Sequence, residues 1–501
     1  MIIKQNLSIL FPIPCKIGLF CSQQNTKDVS QSLRTLLSQT AIYGLSSIVG
    51  RFLNYLLVPL YTRIFAPAEY GIVSELYAYA GFFSVLLAFG METAYFRFIH
   101  KTGETRPVYP TGLRFITIIN LFFFAAVFSG MPVIADWMGY KGMEEYLYCF
   151  AGITALEGLS ALPMARLRKE NRATRFAIIR LSDMGLNIIL NLVFYLVLNR
   201  EGIIWIFYAN LAASFLRFLL LLPQYVPVFE KSDRQLLAEM VRYAWPVLII
   251  GFAGVINEMM DRMVLKFWLP YDPQTNLAQL GIYSACYKLS ILMTLFIQAY
   301  RYAAEPFFFS HSEKEDAKKL YAQALHAFVV IALTGFLGVT LFMPWLKYFI
   351  GPLYHGGLHI VPVLLLANIF LGVTVNLSIW YKITDRTSAG MYIALLGGLV
   401  TAGINYLLIP KLGYAAAAWT TFLCYLLMAA VSYAAGQRYY PVPYNIRLMG
   451  GFMFLSIGLF ALSFSIRKYI PLSGQADFCL SMGLLIIYLL IVWKFRRKIL
   501  G

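Results

Sequence analysis

Fourteen apolar stretches, each close to or above the ~20 residues needed to cross ~30 Å of hydrocarbon, run through this chain from 36–60 to 475–493. Short connections separate them, so the pattern predicts an all-α polytopic membrane protein of about fourteen transmembrane helices. Composition supports the same reading. Of 501 residues, 60% are hydrophobic and 13% charged, against about 25% charged in a soluble domain. That leaves too little polar surface to coat a soluble body of this size, and lipid must be the solvent for most of the chain. Pro59, Pro163, Pro246 and Pro362 fall inside spans, where neighbouring groups in a bundle can satisfy the carbonyls that a kink frees.

The net charge of +17 carries no nucleic-acid message, because the basic residues cluster between apolar runs. With the N-terminus inside, the cytoplasmic connections hold Arg97–Lys101–Arg106–Arg114, then Arg166–Arg168–Lys169–Arg172–Arg175–Arg180, then Lys231–Arg234–Arg242 and the tail from Lys494. Roughly 30 of the 41 basic residues then lie inside and about 8 outside. This predicts a multi-pass protein of the cytoplasmic (inner) membrane with both termini cytoplasmic. Residues 1–35 are expected to form a loose cytoplasmic tail or an over-extended start, with a working signal as the alternative, since the apolar run Leu7–Phe20 is short and interrupted by Pro12 and Pro14.

An internal repeat is visible. Asn54 to Pro67 aligns with Asn257 to Pro270, and Gly71–Ile72–Val73–Ser74 aligns with Gly281–Ile282–Tyr283–Ser284. The order suggests two pseudo-symmetric six-helix lobes, 36–233 and 234–440, followed by two additional helices and a basic tail over 441–501. A duplicated bundle with a site between its halves is a common transporter plan.

A charge at the bilayer centre costs at least about 2.5–3.5 kcal/mol, so each intramembrane charge needs a partner or a wet cavity. Arg51 lies mid-helix with Asn54 three residues on and no carboxylate within a turn. It is either a cavity cation or the partner of Glu92 or Asp183 across the bundle. In helix seven, Glu258 and Arg262 are spaced to pair, which leaves Asp261, with Asn257 on its face, as a leftover carboxylate. Lys288 in helix eight has no local acid, whereas Arg301 can pair with Glu305 near the interface. The candidate substrate-binding residues are Arg51, Asn54, Asn257, Arg262, Lys288 and Arg301; the ion-coupling candidates are Glu92, Glu258 and Asp261. No G-x-x-x-x-G-K-[ST], H-E-x-x-H or G-x-S-x-G motif occurs. The six cysteines are scattered without C-x-x-C, and His355 and His359 sit in a glycine-containing loop. Neither a metal nor a cofactor is expected.

Glu69–Tyr70–Gly71–Ile72–Val73–Ser74–Glu75–Leu76–Tyr77–Ala78–Tyr79 and Gly90–Met91–Glu92–Thr93–Ala94–Tyr95–Phe96–Arg97–Phe98 resemble the polysaccharide biosynthesis family. So do the stretches from Ala165 to Arg172 and from Arg301 to Phe308. These are the O-antigen and exopolysaccharide flippases of the multidrug/oligosaccharidyl-lipid/polysaccharide exporter superfamily. The resemblance implies a V-shaped bundle around a central cavity. It also implies an undecaprenyl-pyrophosphate-linked oligosaccharide as cargo, moved from the inner to the outer leaflet, and polysaccharide polymerase and glycosyltransferases as pathway partners. In the related lipid II flippases, cations in the first, second and eighth helices serve the cavity; Arg51 and Lys288 match the first and eighth, while helix two carries Glu75 and Glu92. A drug/cation antiporter of the same superfamily is one alternative, which would call for acidic cavities. A membrane O-antigen polymerase or ligase is another, but the longest outside connection, about Leu269–Leu280, is too short for a catalytic site of its own.

Overall fold

The computed structural model describes residues 48–50, 52–102, 105–312, 315–496 and 498. Arg51 and the 1–35 tail lie outside the described residues. Among the described residues there is no strand, and thirteen helices are long and apolar enough to cross a membrane. The first helix is described from Ile48 and ends in α1, Val58–Ile64. The chain is an all-α polytopic membrane protein.

The N-terminal spans are α2 Pro67–Ala88, α3 Val108–Ser129, α4 Glu144–Lys169, α5 Ala173–Leu192 and α6 Ile204–Leu221. They are followed by α7 Arg234–Trp268, α8 Pro273–Ser310, α9 Ala317–Leu341, α10 Val361–Leu377, α11 Thr387–Leu412 and α12 Tyr414–Tyr439. Two more complete the chain, α13 Ile446–Tyr469 and α14 Gly474–Lys494. At 35 residues, α7 is about 52 Å long at 1.5 Å per residue, so its polar ends project past the hydrocarbon. Pro246 sits inside it without ending the helix.

The second span departs from the continuous 72–96 run expected from hydropathy. Phe89 (φ 49°) and Gly90 (φ 63°) are both left-handed, which ends α2, and a separate helix runs from Met91 to Thr102. Hydropathy is blind to this break because both residues are apolar or neutral. A Cβ on Gly90 would also meet the Ala244 carbonyl oxygen at 3.0 Å, so α7 packs tightly against this turn.

Duplication shows in which helices touch. In the first set α4 and α5 each pack on α6, and α2 and α3 on α4. Six helices later α10 and α11 each pack on α12, and α8 and α9 on α10. The pairing of α7 with α11 has its counterpart in α1 with α5, joined by Tyr61 Oη donating to Asn191 Oδ1 at 2.8 Å. Outside this repeat, α13 and α14 flank α9. Arg467 donates to the Leu341 carbonyl at 2.6 Å and Tyr488 to the Val330 carbonyl at 3.2 Å.

The two sets meet chiefly along α2 and α8. Their close approach depends on the glycines that mark the sequence repeat. A Cβ on Gly71 would lie 2.0 Å from the Leu277 carbonyl oxygen, and one on Gly281 would lie 1.9 Å from the Pro67 carbonyl oxygen. The contact is reciprocal, as a two-fold relation between the repeats requires. Small residues that let backbones touch are a main source of helix association in lipid, where apolar burial gives little drive.

At the start of α7, Asp233 caps the helix by accepting from Gln235 and Leu236 N–H groups at 2.9 and 3.0 Å, and Arg106 binds the same carboxylate at 2.6 Å. The Leu236 N–H and the Arg106 guanidinium hold its carboxyl below the usual carboxylate range. The cap therefore helps at neutral pH and is lost as pH falls through that lowered value.

Either Gly71→Ala or Gly281→Ala should cost about 1–3 kcal/mol by overpacking. Thermal denaturation of the purified protein should show a lowered midpoint for both, and no comparable shift for Gly254→Ala, whose added Cβ meets nothing within 4 Å.

Candidate functional site

Polar side chains recur on single faces of otherwise apolar helices. On α5, Arg180, Asp183, Asn187 and Asn191 follow one another at spacings of three or four; on α6, Asn210, Ala213 and Arg217 do the same. Such spacing stacks side chains on one stripe. In an apolar helix that stripe must face protein or water. These stripes converge with α1, α2, α4, α7 and α8 on a cavity of about 370 Å³. It lies inside the first helix set, walled on one side by α7 and α8.

Four cations, Arg180, Arg217, Arg262 and Lys288, and two acids, Glu157 and Asp183, line it among the described residues. Arg217 donates its Nε to the buried Asp183, and its Nη1 lies 3.7 Å from Glu157. Arg262 is buried and donates to Asp261 at 3.1 Å and to the Glu258 carbonyl at 2.7 Å, with its guanidinium 4.8 Å from the Tyr287 ring centre. Tyr283 hydrogen-bonds the second Asp261 oxygen. Lys288 lines the cavity half-buried and has no ion-pair partner among the described residues. Tyr61, Tyr70, Tyr77, Asn54, Asn187 and Asn210 add hydrogen-bonding groups, with Asn210 donating to Tyr77 at 2.7 Å.

Asn54, Arg262 and Lys288 are thus brought together, while the other candidates stand elsewhere. Asn257 is not a lining residue: it is bound to α11, donating to the Ala394 carbonyl at 3.3 Å and accepting from Thr401 at 3.2 Å. Arg301 lies away from the cavity, 60% exposed, in a cluster with Glu305 at 3.2 Å and Lys382. Glu92 is taken by Arg168 at 2.7 Å.

The Glu258–Arg262 pair expected from spacing does not form. Arg262 folds back onto the Glu258 carbonyl and takes its charge partner from Asp261, which Tyr283 of α8 holds in place. Asp261, expected to be left over, is therefore occupied, and the Glu258 carboxylate has no ion pair among the described residues.

The reading from sequence missed Arg180, assigned to a cytoplasmic cluster, and Arg217 and Glu157, not singled out at all. The three-and-four spacing of polar residues through α5 and α6 is the signal that would have found the two arginines. Among the described residues no group of His, Cys, Asp and Glu could hold a metal.

Above the cavity, the end where α1 meets α2 is closed by contacts between the two helix sets. The Gly351 N–H donates to Thr62 at 2.9 Å and Tyr354 to the Phe65 carbonyl at 2.9 Å. Tyr55 stacks on Phe349 at 4.4 Å. Deeper, Lys266 of α7 pairs with Glu75 of α2 at 2.8 Å and donates to the Met138 carbonyl at 2.7 Å, and Tyr140 also hydrogen-bonds Glu75. Both charges are buried, at 8% and 0% side-chain exposure, so this pair can part only if both ends find water or new partners.

Arg217→Ala should destabilise the protein by up to about 3–5 kcal/mol, because buried Asp183 would lose its direct ion-pair partner and keep only the attraction of Arg180. The double change Arg217→Leu with Asp183→Leu should recover most of that loss. Thermal denaturation of the three variants checks both.

The family model described as polysaccharide biosynthesis protein matches residues 60–351, more than half of the chain. No curated protein matches the sequence. Among solved structures the chain is similar to the lipid II flippase MurJ in an inward closed conformation, with a TM-score of 0.72 and 14% identity over 93% of this chain and 99% of that one. It is also similar to a multidrug resistance MATE family transporter of the MOP superfamily in its inward-facing conformation, with a TM-score of 0.63 and 14% identity over 80% of this chain and 94% of that one. A MATE transporter of that superfamily in the outward-facing conformation gives 0.59 and 13% over 80% and 95%. At these identities the likeness is one of fold. A duplicated bundle with this fold, matched by the family model through both halves of the α2–α8 seam, places the chain in the polysaccharide biosynthesis protein family.

Proposed function

We propose that this protein moves a polyprenyl-pyrophosphate-linked oligosaccharide from the inner to the outer leaflet of the cytoplasmic membrane by alternating access. The observation that carries this reading is Lys288 in the cavity wall, which makes no ion pair among the described residues and is attracted by Glu258 only from beyond ion-pair distance. Arg51, three positions before Asn54, lies outside the described residues and enters this proposal from the sequence alone. A cavity of about 370 Å³ falls at the small end of the ~300–1,000 Å³ typical of small-molecule sites. It suits a pyrophosphate and the first sugar of a glycan whose polyprenyl tail stays in lipid.

Pyrophosphate is a dense anion, and Lys and Arg bind it with charge-assisted hydrogen bonds. Asn54, Asn187, Asn210 and the tyrosines offer partners for sugar hydroxyls. The closed α1–α2 end supports a carrier with one face sealed: with the N-terminus inside, that sealed face is the outer one. Opening it would require the Glu75–Lys266 pair to separate while the opposite end closes, a rocking of two matched helix sets. Both termini are then cytoplasmic, and the pathway's glycosyltransferases and polymerase act before and after this step.

The MATE-like fold keeps the drug/cation antiporter as the second reading. Its cationic substrates would find both lining acids, Glu157 and Asp183, already paired with Arg217, which disfavours it.

The test is translocation of a labelled lipid-linked oligosaccharide in proteoliposomes. Lys288→Ala and Arg51→Ala should each slow flipping by at least about tenfold, the equivalent of one lost charge-assisted contact of about 1.4 kcal/mol or more, whereas Lys288→Arg should retain most activity. Translocation at the wild-type rate by both alanine variants would remove the proposed site.

A further inference from the structure

A second group of cations lies at the opposite end of the bundle, outside the cavity. The Met91–Thr102 helix is amphipathic. Met91, Ala94, Tyr95 and Phe98 are buried against Leu113, Leu162, Met240 and Ala244, which turns Arg97 and Lys101 outward, one helical turn apart. The first turns of α7 bring Arg242 and Tyr243 alongside. Together they line an open groove of about 550 Å³.

The lining of this groove has one acid, Glu239, and that carboxylate is held by Arg106 at 3.2 Å. Arg97, Lys101 and Arg242 have no ion-pair partner among the described residues. Nearby arginines behave otherwise: Arg166 pairs with Glu170 at 2.6 Å and Arg168 with Glu92 at 2.7 Å. Nor is Arg97 free to trail into water, since its guanidinium stacks 4.2 Å over the Tyr243 ring centre. Two residues further along α7, Trp245 is 55% exposed. Tryptophan on an outer helix face marks the level where hydrocarbon gives way to headgroups. The groove therefore opens at headgroup depth, with three cations converging on it and apolar surface beside it.

We propose that this groove binds the phosphate of an anionic phospholipid headgroup, with Arg97, Lys101 and Arg242 as the ligands and the acyl chains lying along the Trp245 face. Basic pockets between transmembrane helices take anionic headgroups by this chemistry, and an arginine held by stacking gives up little entropy to bind. The bound lipid would bridge the Met91–Thr102 helix to α7, across the left-handed break at Phe89 and Gly90. The proposal is independent of which cargo the central cavity carries.

The experiment reconstitutes the full chain in vesicles of equal parts phosphatidylglycerol and phosphatidylcholine, extracts it gently, and counts retained lipid by native mass spectrometry. Wild type should retain one phosphatidylglycerol and no bound phosphatidylcholine. Arg97→Ala combined with Arg242→Ala should lower that retention at least about tenfold with an unchanged denaturation profile, and Arg97→Lys with Arg242→Lys should retain more than the alanine pair. Equal retention by wild type and the alanine pair would overturn the proposal. Release of the lipid by millimolar inorganic phosphate would make this a free-anion site instead. Replacement of phosphatidylglycerol by equimolar polyprenyl pyrophosphate would assign the groove to the lipid-linked cargo.

Discussion

Everything in this bundle answers to the cost of placing charge where there is no water. The described core meets that cost in pairs: Arg217 with Asp183, Arg262 with Asp261, and Lys266 with Glu75. Each pair fixes one helix against another or stiffens a helix at the cavity wall. Removing either partner would leave several kcal/mol of uncompensated desolvation. Against this background of paired charge, Lys288 makes no ion pair among the described residues, and Glu258 attracts it only from beyond contact distance. A cation in that position needs an anion or water, and the cavity beside it can hold either.

The duplication gives the site its place. Reciprocal contacts of Gly71 with the Leu277 carbonyl and Gly281 with the Pro67 carbonyl bring α2 and α8 together at one end. The cavity lies below that seam, between helices of the first set and the walls supplied by α7 and α8. Along the seam these backbone contacts are joined by buried apolar side chains of both helices, among them Val73, Leu76, Leu280 and Tyr283, with the buried Glu75–Lys266 pair tying α2 to α7 beside it. Two further helices lie outside this repeat, packed on α9, and contribute nothing to the described lining.

Much of the fold was legible from the sequence because lipid imposes so simple a rule on segment length. The repeat was also legible, and its aligned glycines proved to be the contact between its copies. The site was harder. Arg180 stood next to a run of basic residues and was counted with them, although it belongs to the same face as Asp183 and Asn187. Spacing alone favoured Glu258 for Arg262, but a helix position does not say whether a long side chain will reach forward or fold back. Here Tyr283 on another helix settles the matter by holding Asp261. Glu75 and Lys266 are separated by 191 positions, and no local pattern connects them. For Asp261 and for the Glu75–Lys266 pair the missing information was which helices become neighbours, which hydropathy does not encode; for Arg180 it was local spacing overlooked.

The central claim is that positive charge in the cavity selects an anionic headgroup. Its most direct test is equilibrium binding to the purified wild-type protein of a lipid-linked oligosaccharide bearing pyrophosphate, set against the same glycan on a neutral lipid of equal length, over a range of salt concentrations. The account predicts tight binding of the pyrophosphate form, weakened by salt, and at least about a hundredfold weaker binding of the neutral form, the worth of two charge-assisted contacts. Equal affinity for the two lipids, indifferent to salt, would contradict it.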